Sequence, residues 1–326
     1  MPLLFDMPYD QLYSYRGTNP CPQDFDQYWD NALKEIDAMD PQVEFIKASF
    51  QTPYAECYHL YFTGCGGARI HVKYLNPLTK RKSHPAVLFY HGYAGNSGDW
   101  VEKLPYAANG FCVAAMDCRG QGGESQDNGG VRGGTLNGHI IRGLDGKKED
   151  LLFRQVFLDT AILARIIMNL PQVDENRIGA TGYSQGGGLT LACGALVPQI
   201  SRLAPVYPFL CDYQRVWNLD LAQDAYAELK DYFRRFDPLH DRDEEVFIRL
   251  GYIDVQNLCS RINAKVFMGT GLADKICPPS TQFAAYNKIK SEKSVAIYPD
   301  FGHEALPGHQ DAIFQFMSEL LTESTV

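Results

Sequence analysis

The sequence has 326 residues, 45% of them hydrophobic and 21% charged, which is ordinary globular usage and excludes a wholly disordered chain. A net charge of -9 and a pI near 5.4 provide no basic stripe for a phosphate backbone, so nucleic acid is not an expected partner. The chain is read as one large α/β domain over residues 1–326, because α/β folds of this length commonly form a single unit.

Near the start, Asp6 and Asp10 interrupt residues 1–10, and no basic run leads into an apolar segment, so no signal peptide is expected. No apolar run approaches the roughly 18 residues of a membrane span. Nine dispersed cysteines without CxxC spacing fit reduced thiols, and the expected location is cytoplasmic. Residues 1–50 are expected to form a helical N-terminal extension, clearest over 24–36, where apolar residues recur at helical spacing. Strand-like runs rich in β-branched or aromatic residues follow at 58–63, 69–75, 86–90, 111–116, 177–181, 204–207, 265–268 and 294–298. Helices are expected over 151–170, 185–196, 280–290 and 309–321, and this alternation predicts a mostly parallel central sheet flanked by helices. Two stretches interrupt the rhythm. Residues 120–146 hold ten glycines and few large apolar residues, so a long surface loop is expected there. Residues 207–261 are aromatic, charged and helix-like, and are read as a cap-like insertion.

The strongest chemical signal is Gly182-Tyr183-Ser184-Gln185-Gly186, lying between a strand and a helix. A serine at such a sharp turn is lifted above the sheet, with the amides and positive dipole end of the next helix aimed at the same spot. Taken alone, the pentapeptide could be a glycine turn or a phosphate loop; its flanking strand and helix favour a nucleophile. A serine hydroxyl needs a base to take its proton. His303, in Pro299-Asp300-Phe301-Gly302-His303-Glu304, follows the last strand and precedes the last helix, as the order Ser, Asp, His demands. The orienting acid is assigned to Asp274, just past the strand at 265–268, with Asp300, Asp254 and Asp237 as rivals. The amides of Gln185 and Tyr93 are assigned as oxyanion donors, Tyr93 because it follows an early strand in His91-Gly92-Tyr93. The ring of Tyr93 could also narrow the acyl pocket. His303-Glu304-Ala305-Leu306-Pro307 lacks the second histidine of a zinc helix, so no metal is expected, and ester hydrolysis by this set requires no cofactor.

With these residues assembled, the chain resembles carbohydrate esterase family 7, the acetyl xylan esterase and cephalosporin C deacetylase family. The markers are Arg119-Gly120-Gln121, the Ser184 pentapeptide, His303-Glu304, Asp24-Phe25-Asp26, Pro208-Phe209-Leu210-Cys211 and the run from Asp274 to Ser280. The resemblance implies an α/β-hydrolase fold, the triad Ser184, Asp274 and His303, and oxyanion donors at Tyr93 and Gln185. It implies removal of acetyl groups from xylo-oligosaccharides and cephalosporin C, and assembly into a ring-shaped homohexamer for which the 122–146 loop is a candidate interface. Tyr93 and Pro208 are expected to contact substrate. One departure is visible: the residue before the nucleophile, commonly glycine in that family, is Tyr183 here. Arg119 and Gln121 are read as structural, since no step of ester hydrolysis requires a fixed cation. The alternatives are a broad short-chain carboxylesterase or serine peptidase, which the same triad would serve, and a binding module that keeps only the fold.

Overall fold

The computed structural model describes residues 5–128, 130 and 133–322. One sheet is built from β1 (Glu44–Lys47), β2 (Ala55–Thr63), β3 (Arg69–Pro77), β4 (His84–Tyr90), β5 (Cys112–Met116), β6 (Val173–Tyr183), β7 (Arg202–Val206), β8 (Lys265–Gly271) and β9 (Lys293–Tyr298). The spatial order is β1-β2-β3-β5-β4-β6-β7-β8-β9. Pairing is antiparallel from β1 to β5 and parallel from β5 to β9.

The parallel half is covered on both faces, and its sequences show why. Every residue of β5 and β7 is buried, so neither strand alternates polar with apolar. The helix Gln185–Leu196 is buried along its whole length, and its small residues Gly187, Gly188 and Gly194 lie where a Cβ would collide with Val206, Phe209 and Leu203. Alongside runs Leu152–Met168, apolar nearly all round and correspondingly sunk in the core.

The N-terminal part is only partly helical. Phe25–Asp37 sets Phe25, Tyr28, Trp29, Ala32 and Ile36 on one face, and Trp29 is fully buried with Nε1 donating to the Tyr252 carbonyl at 3.1 Å. Truncating that indole would cost about 3–5 kcal/mol. Residues 44–47, however, form the edge strand β1, with all four side chains exposed. The expectation of helix throughout fails there because pairing with β2, rather than any local pattern, makes the strand.

The glycine-rich loop also departs from expectation. Gly129, Val131 and Arg132 lie outside the described residues; of the rest, Ile140 and Leu144 join the core and Gln121, Asp127 and His139 are buried. What holds it down is the segment between β7 and β8, which carries the helices Tyr213–Asn218, Ala227–Phe236, Asp243–Gly251 and Val255–Leu258. Buried Glu228 accepts hydrogen bonds from the amides of Ile140 (2.7 Å) and Ile141 (3.1 Å), and the Tyr232 hydroxyl donates to Asp145 at 2.7 Å. Two charged or polar partners thus do what large apolar side chains do elsewhere. No helix of the described residues is long and apolar enough to cross a membrane.

In the parallel half, Tyr90 at the end of β4 lies beside Gly182, Tyr183 beside Val206, and Gly271 beside Tyr298. The segments leaving β4, β6, β8 and β9 therefore emerge at one rim, where ligands of open α/β sheets bind.

Candidate active site

Ser184 sits between β6 and the helix Gln185–Leu196 with φ 56° and ψ -121°, a conformation that costs an L-residue about 1–3 kcal/mol. The neighbouring glycines make the turn sterically possible. A Cβ at Gly186 would stand 2.0 Å from the Tyr90 carbonyl oxygen, and one at Gly182 would stand 2.5 Å from that same atom. The strained turn points the serine hydroxyl at His303, whose Nε2 lies 3.0 Å from Ser184 Oγ. His303 Nδ1 lies 2.8 Å from Asp274 Oδ2. Asp274 is fully buried, and its other oxygen accepts the amides of Ile276 at 2.9 Å and Cys277 at 2.8 Å. Those two amides compensate the buried carboxylate and fix which oxygen faces the imidazole. The three residues, separated by up to 119 positions in the chain, form one unbroken hydrogen-bonded line.

The rival acids lie elsewhere. Asp237 caps the amides of Asp241 and Arg242, Asp254 accepts the amides of Asp212 and Gln256, and Asp300 is exposed in the turn after β9. His91 is also accounted for: its Nε2 accepts the Cys118 amide at 2.9 Å while Nδ1 donates to the Gly92 carbonyl at 2.7 Å. Burial holds His91 below its usual range, in keeping with that neutral tautomer.

The amides of Tyr93 and Gln185 have no acceptor among the described residues. Gln121 joins the two segments that carry them. Its Oε1 accepts the Ala94 amide at 2.9 Å, and its Nε2 donates to Gln185 Oε1 at 2.8 Å. Arg119 faces away from this centre; fully buried, it grips Asp159 with two donors at 2.7 Å and reaches Gln155 and the Cys65 carbonyl, each at 2.7 Å. The Tyr93 ring is braced by Phe209 and His139, and its hydroxyl donates to Glu228. Burial raises the Glu228 carboxyl above its usual range.

A cavity of about 610 Å³ opens over Ser184 and His303, walled by Tyr93, Tyr183, Tyr207, Ile276 and Leu306. Pro208 does not line it; its backbone packs against Gly187 behind the elbow, which is why a residue so near Tyr207 in sequence misses the site. Sequence reasoning missed Tyr207, whose ring centre lies 4.5 Å from that of His303, and the insertion residues Asp224 and Ala225 on the cavity rim. Oxygen, sulfur and nitrogen atoms of Asp274, Cys277 and His303 cluster within 4.8 Å. A cation there would have to displace the Asp274–His303 hydrogen bond, and burial, with Asp274 nearby, pushes the Cys277 thiol well above its ordinary range, away from the thiolate a metal prefers.

The family model for acetyl xylan esterase (AXE1) matches residues 1–320. The chain belongs to the acetyl xylan esterase family. Acetyl xylan esterase 1 from Thermoanaerobacterium sp. JW/SL YS485 is 60% identical, with a TM-score of 0.94 over 97% of this chain and 99% of that one. The acetyl xylan esterase from Paenibacillus sp. R4 is 36% identical, with a TM-score of 0.90 over 96% and 99% of the two chains. Acetyl esterase Axe7A from Xylanibacter ruminicola is 28% identical over 288 residues, 85% of this chain; the chain spans 62% of that curated relative's length. The family resemblance read from the sequence therefore holds, and with it the α/β-hydrolase fold.

Proposed function

We propose that this acetyl xylan esterase family member is a serine esterase that removes acetyl groups from small acetylated carbohydrates, xylo-oligosaccharides above all, and from related acetyl esters such as cephalosporin C. The observation that carries this reading is the Ser184–His303–Asp274 line at the floor of an open, aromatic-walled cavity. His303 Nε2 takes the Ser184 proton as Oγ attacks the acetyl carbonyl carbon, while Asp274 holds the Nδ1 proton and stabilises the imidazolium. The tetrahedral oxyanion is held by the amides of Tyr93 and Gln185, each donor worth about 10²–10³ in kcat. As the anion collapses, the carbon–oxygen bond to the sugar breaks, His303 returns the proton to the sugar oxygen, and acetyl-Ser184 remains. Water, deprotonated by His303, then attacks the acetyl carbon; acetate leaves and Ser184 regains its proton.

The protein is further read as a cytoplasmic homohexamer. The family resemblance supports the assembly, and eight of the nine thiols being buried as free cysteines suits a reducing compartment. Acetate release from acetylated xylo-oligosaccharides, beside Ser184→Ala, tests the activity. Rapid release that the variant lacks supports the proposal; preference for octanoyl over acetyl p-nitrophenyl esters, or cleavage of a peptide anilide, overturns it.

A further inference from the structure

A second cavity, also about 610 Å³, adjoins the first, and the two share Gly92, Tyr93, Tyr183, Val206 and Gln310 as walls. Tyr183 and Tyr93 are the two aromatic residues of that partition. Tyr183 directly precedes Ser184 and the residue is 51% exposed, so an amphipathic ring is available to a ligand at the boundary of the two cavities. One edge of the ring comes up against Gly92: a Cβ there would stand 3.2 Å from Tyr183 Cε2 and 3.6 Å from Cδ2, so glycine at 92 leaves room for the ring at the boundary.

The second cavity has two chemically different sides. Phe89 and Tyr106 give an apolar aromatic wall, while Asn96, Ser97 and the pair Glu102–Lys103 give a polar one. The Lys103 ammonium is buried with Glu102 2.7 Å from it, and the Lys73 ammonium donates to the Gly98 carbonyl, so the polar side offers donors and acceptors whose cations already have partners. A pyranose has matching faces, one of C–H bonds for an aromatic ring and an equatorial belt of hydroxyls for hydrogen bonds. An anionic ligand would find the lysine already neutralised, and a plain acyl chain would strand the polar side unpaired.

We propose that this second cavity is a distal sugar subsite, taking the neutral pyranose next to the acetylated one, with Tyr183 as the platform on which the saccharide crosses from one cavity to the other. The inference rests on the reading of the first cavity as a sugar-acetate site and adds where the rest of the alcohol goes.

The test compares acetylated xylobiose with acetylated xylose as a ratio of kcat/KM, measured on wild type, Tyr183→Ala and Tyr183→Phe. A misfolded fraction lowers both rates alike, so the ratio survives it. Wild type and Tyr183→Phe are expected to favour the disaccharide about tenfold, the discrimination one stacked ring supplies, and Tyr183→Ala to bring the ratio near one. Gln310→Trp, at an exposed position on the shared wall, is expected to lower the ratio too by narrowing the passage. A wild-type ratio near one, or a tenfold preference kept by Tyr183→Ala, overturns the subsite while leaving the esterase reading standing. Hydrolysis of ethyl acetate with no turnover of either sugar ester overturns the substrate reading, and the subsite with it.

Discussion

Replacing Asp274 by asparagine should inactivate the enzyme while leaving its fold in place, and the reason lies in which atom must face which. The oxygen that accepts the amides of Ile276 and Cys277 can be replaced only by the asparagine carbonyl, because a side-chain NH2 there would meet two donors. The NH2 group is then forced into the Oδ2 position, 2.8 Å from His303 Nδ1. Nδ1 must become an acceptor, so the proton moves to Nε2, the atom 3.0 Å from Ser184 Oγ that has to receive the serine proton. The imidazole is held in the wrong tautomer and its positive form loses its counter-charge. We expect kcat to fall about 10⁴-fold, some 5.5 kcal/mol of barrier. Steady-state acetate release read in a pH-stat, with circular dichroism to confirm folding, measures this. A folded Asp274→Asn enzyme within about tenfold of wild type would refute the assignment, and an equal loss on Asp300→Asn would move the acid to that rival.

Other perturbations probe the surroundings. Gln121→Leu, which unties Ala94 from Gln185, should lower kcat by about 10–100-fold with little change in KM, since the tie joins the segments whose Tyr93 and Gln185 amides are proposed as oxyanion donors; an unchanged kcat would show that the amides are placed without it. Gly186→Ala puts a methyl 2.0 Å from the Tyr90 carbonyl oxygen, so a loss of more than about 3 kcal/mol in urea unfolding is expected. Burial raises the Asp254 carboxyl from 3.8 to about 7, with Asp212 adding to the effect. A raised folded-state pKa favours the folded protein when the group is protonated, so that stabilisation is complete below about pH 4 and is lost as the pH rises through 7. Relative to Asp254→Asn, wild type should therefore gain up to about 4 kcal/mol as the pH falls from 8 to 4; a pH-independent difference in chemical denaturation would contradict this.

The chemistry was legible in the sequence where it is local. The Ser184 turn is written in five adjacent residues, because the sterics that demand Gly182 and Gly186 act within a single strand-to-helix corner. That His303 and Asp274 would meet was legible because the order of strands and helices leaves few places for a histidine and a carboxylate at the sheet's rim. What escaped depends on contacts between distant segments. Gln121 meets Gln185 across 64 positions, and Tyr93 meets Glu228 across 135; neither glutamine nor glutamate carries a local pattern that says so. β1 was missed since its four exposed residues show no alternation, and the five-residue helix Leu104–Ala108 is too short for a period to register. The glycine-rich loop misled for a related reason: its own apolar anchors are only Ile140 and Leu144, and Glu228 and Tyr232 on another segment help hold it down. Tyr207 looked like the end of a strand, whereas β7 stops at Val206 and a φ of 32° at Tyr207 accompanies the placing of its ring beside His303.

The most direct measurement of the central claim is mass spectrometry of the protein after reaction with an organophosphonate ester, followed by peptide mapping. One adduct per chain, on the peptide containing Ser184, formed in step with loss of acetate release and absent from His303→Ala on the same timescale, is the expected result. Full turnover persisting after Ser184 is phosphonylated, or modification at another residue accounting for the inactivation, would contradict the account.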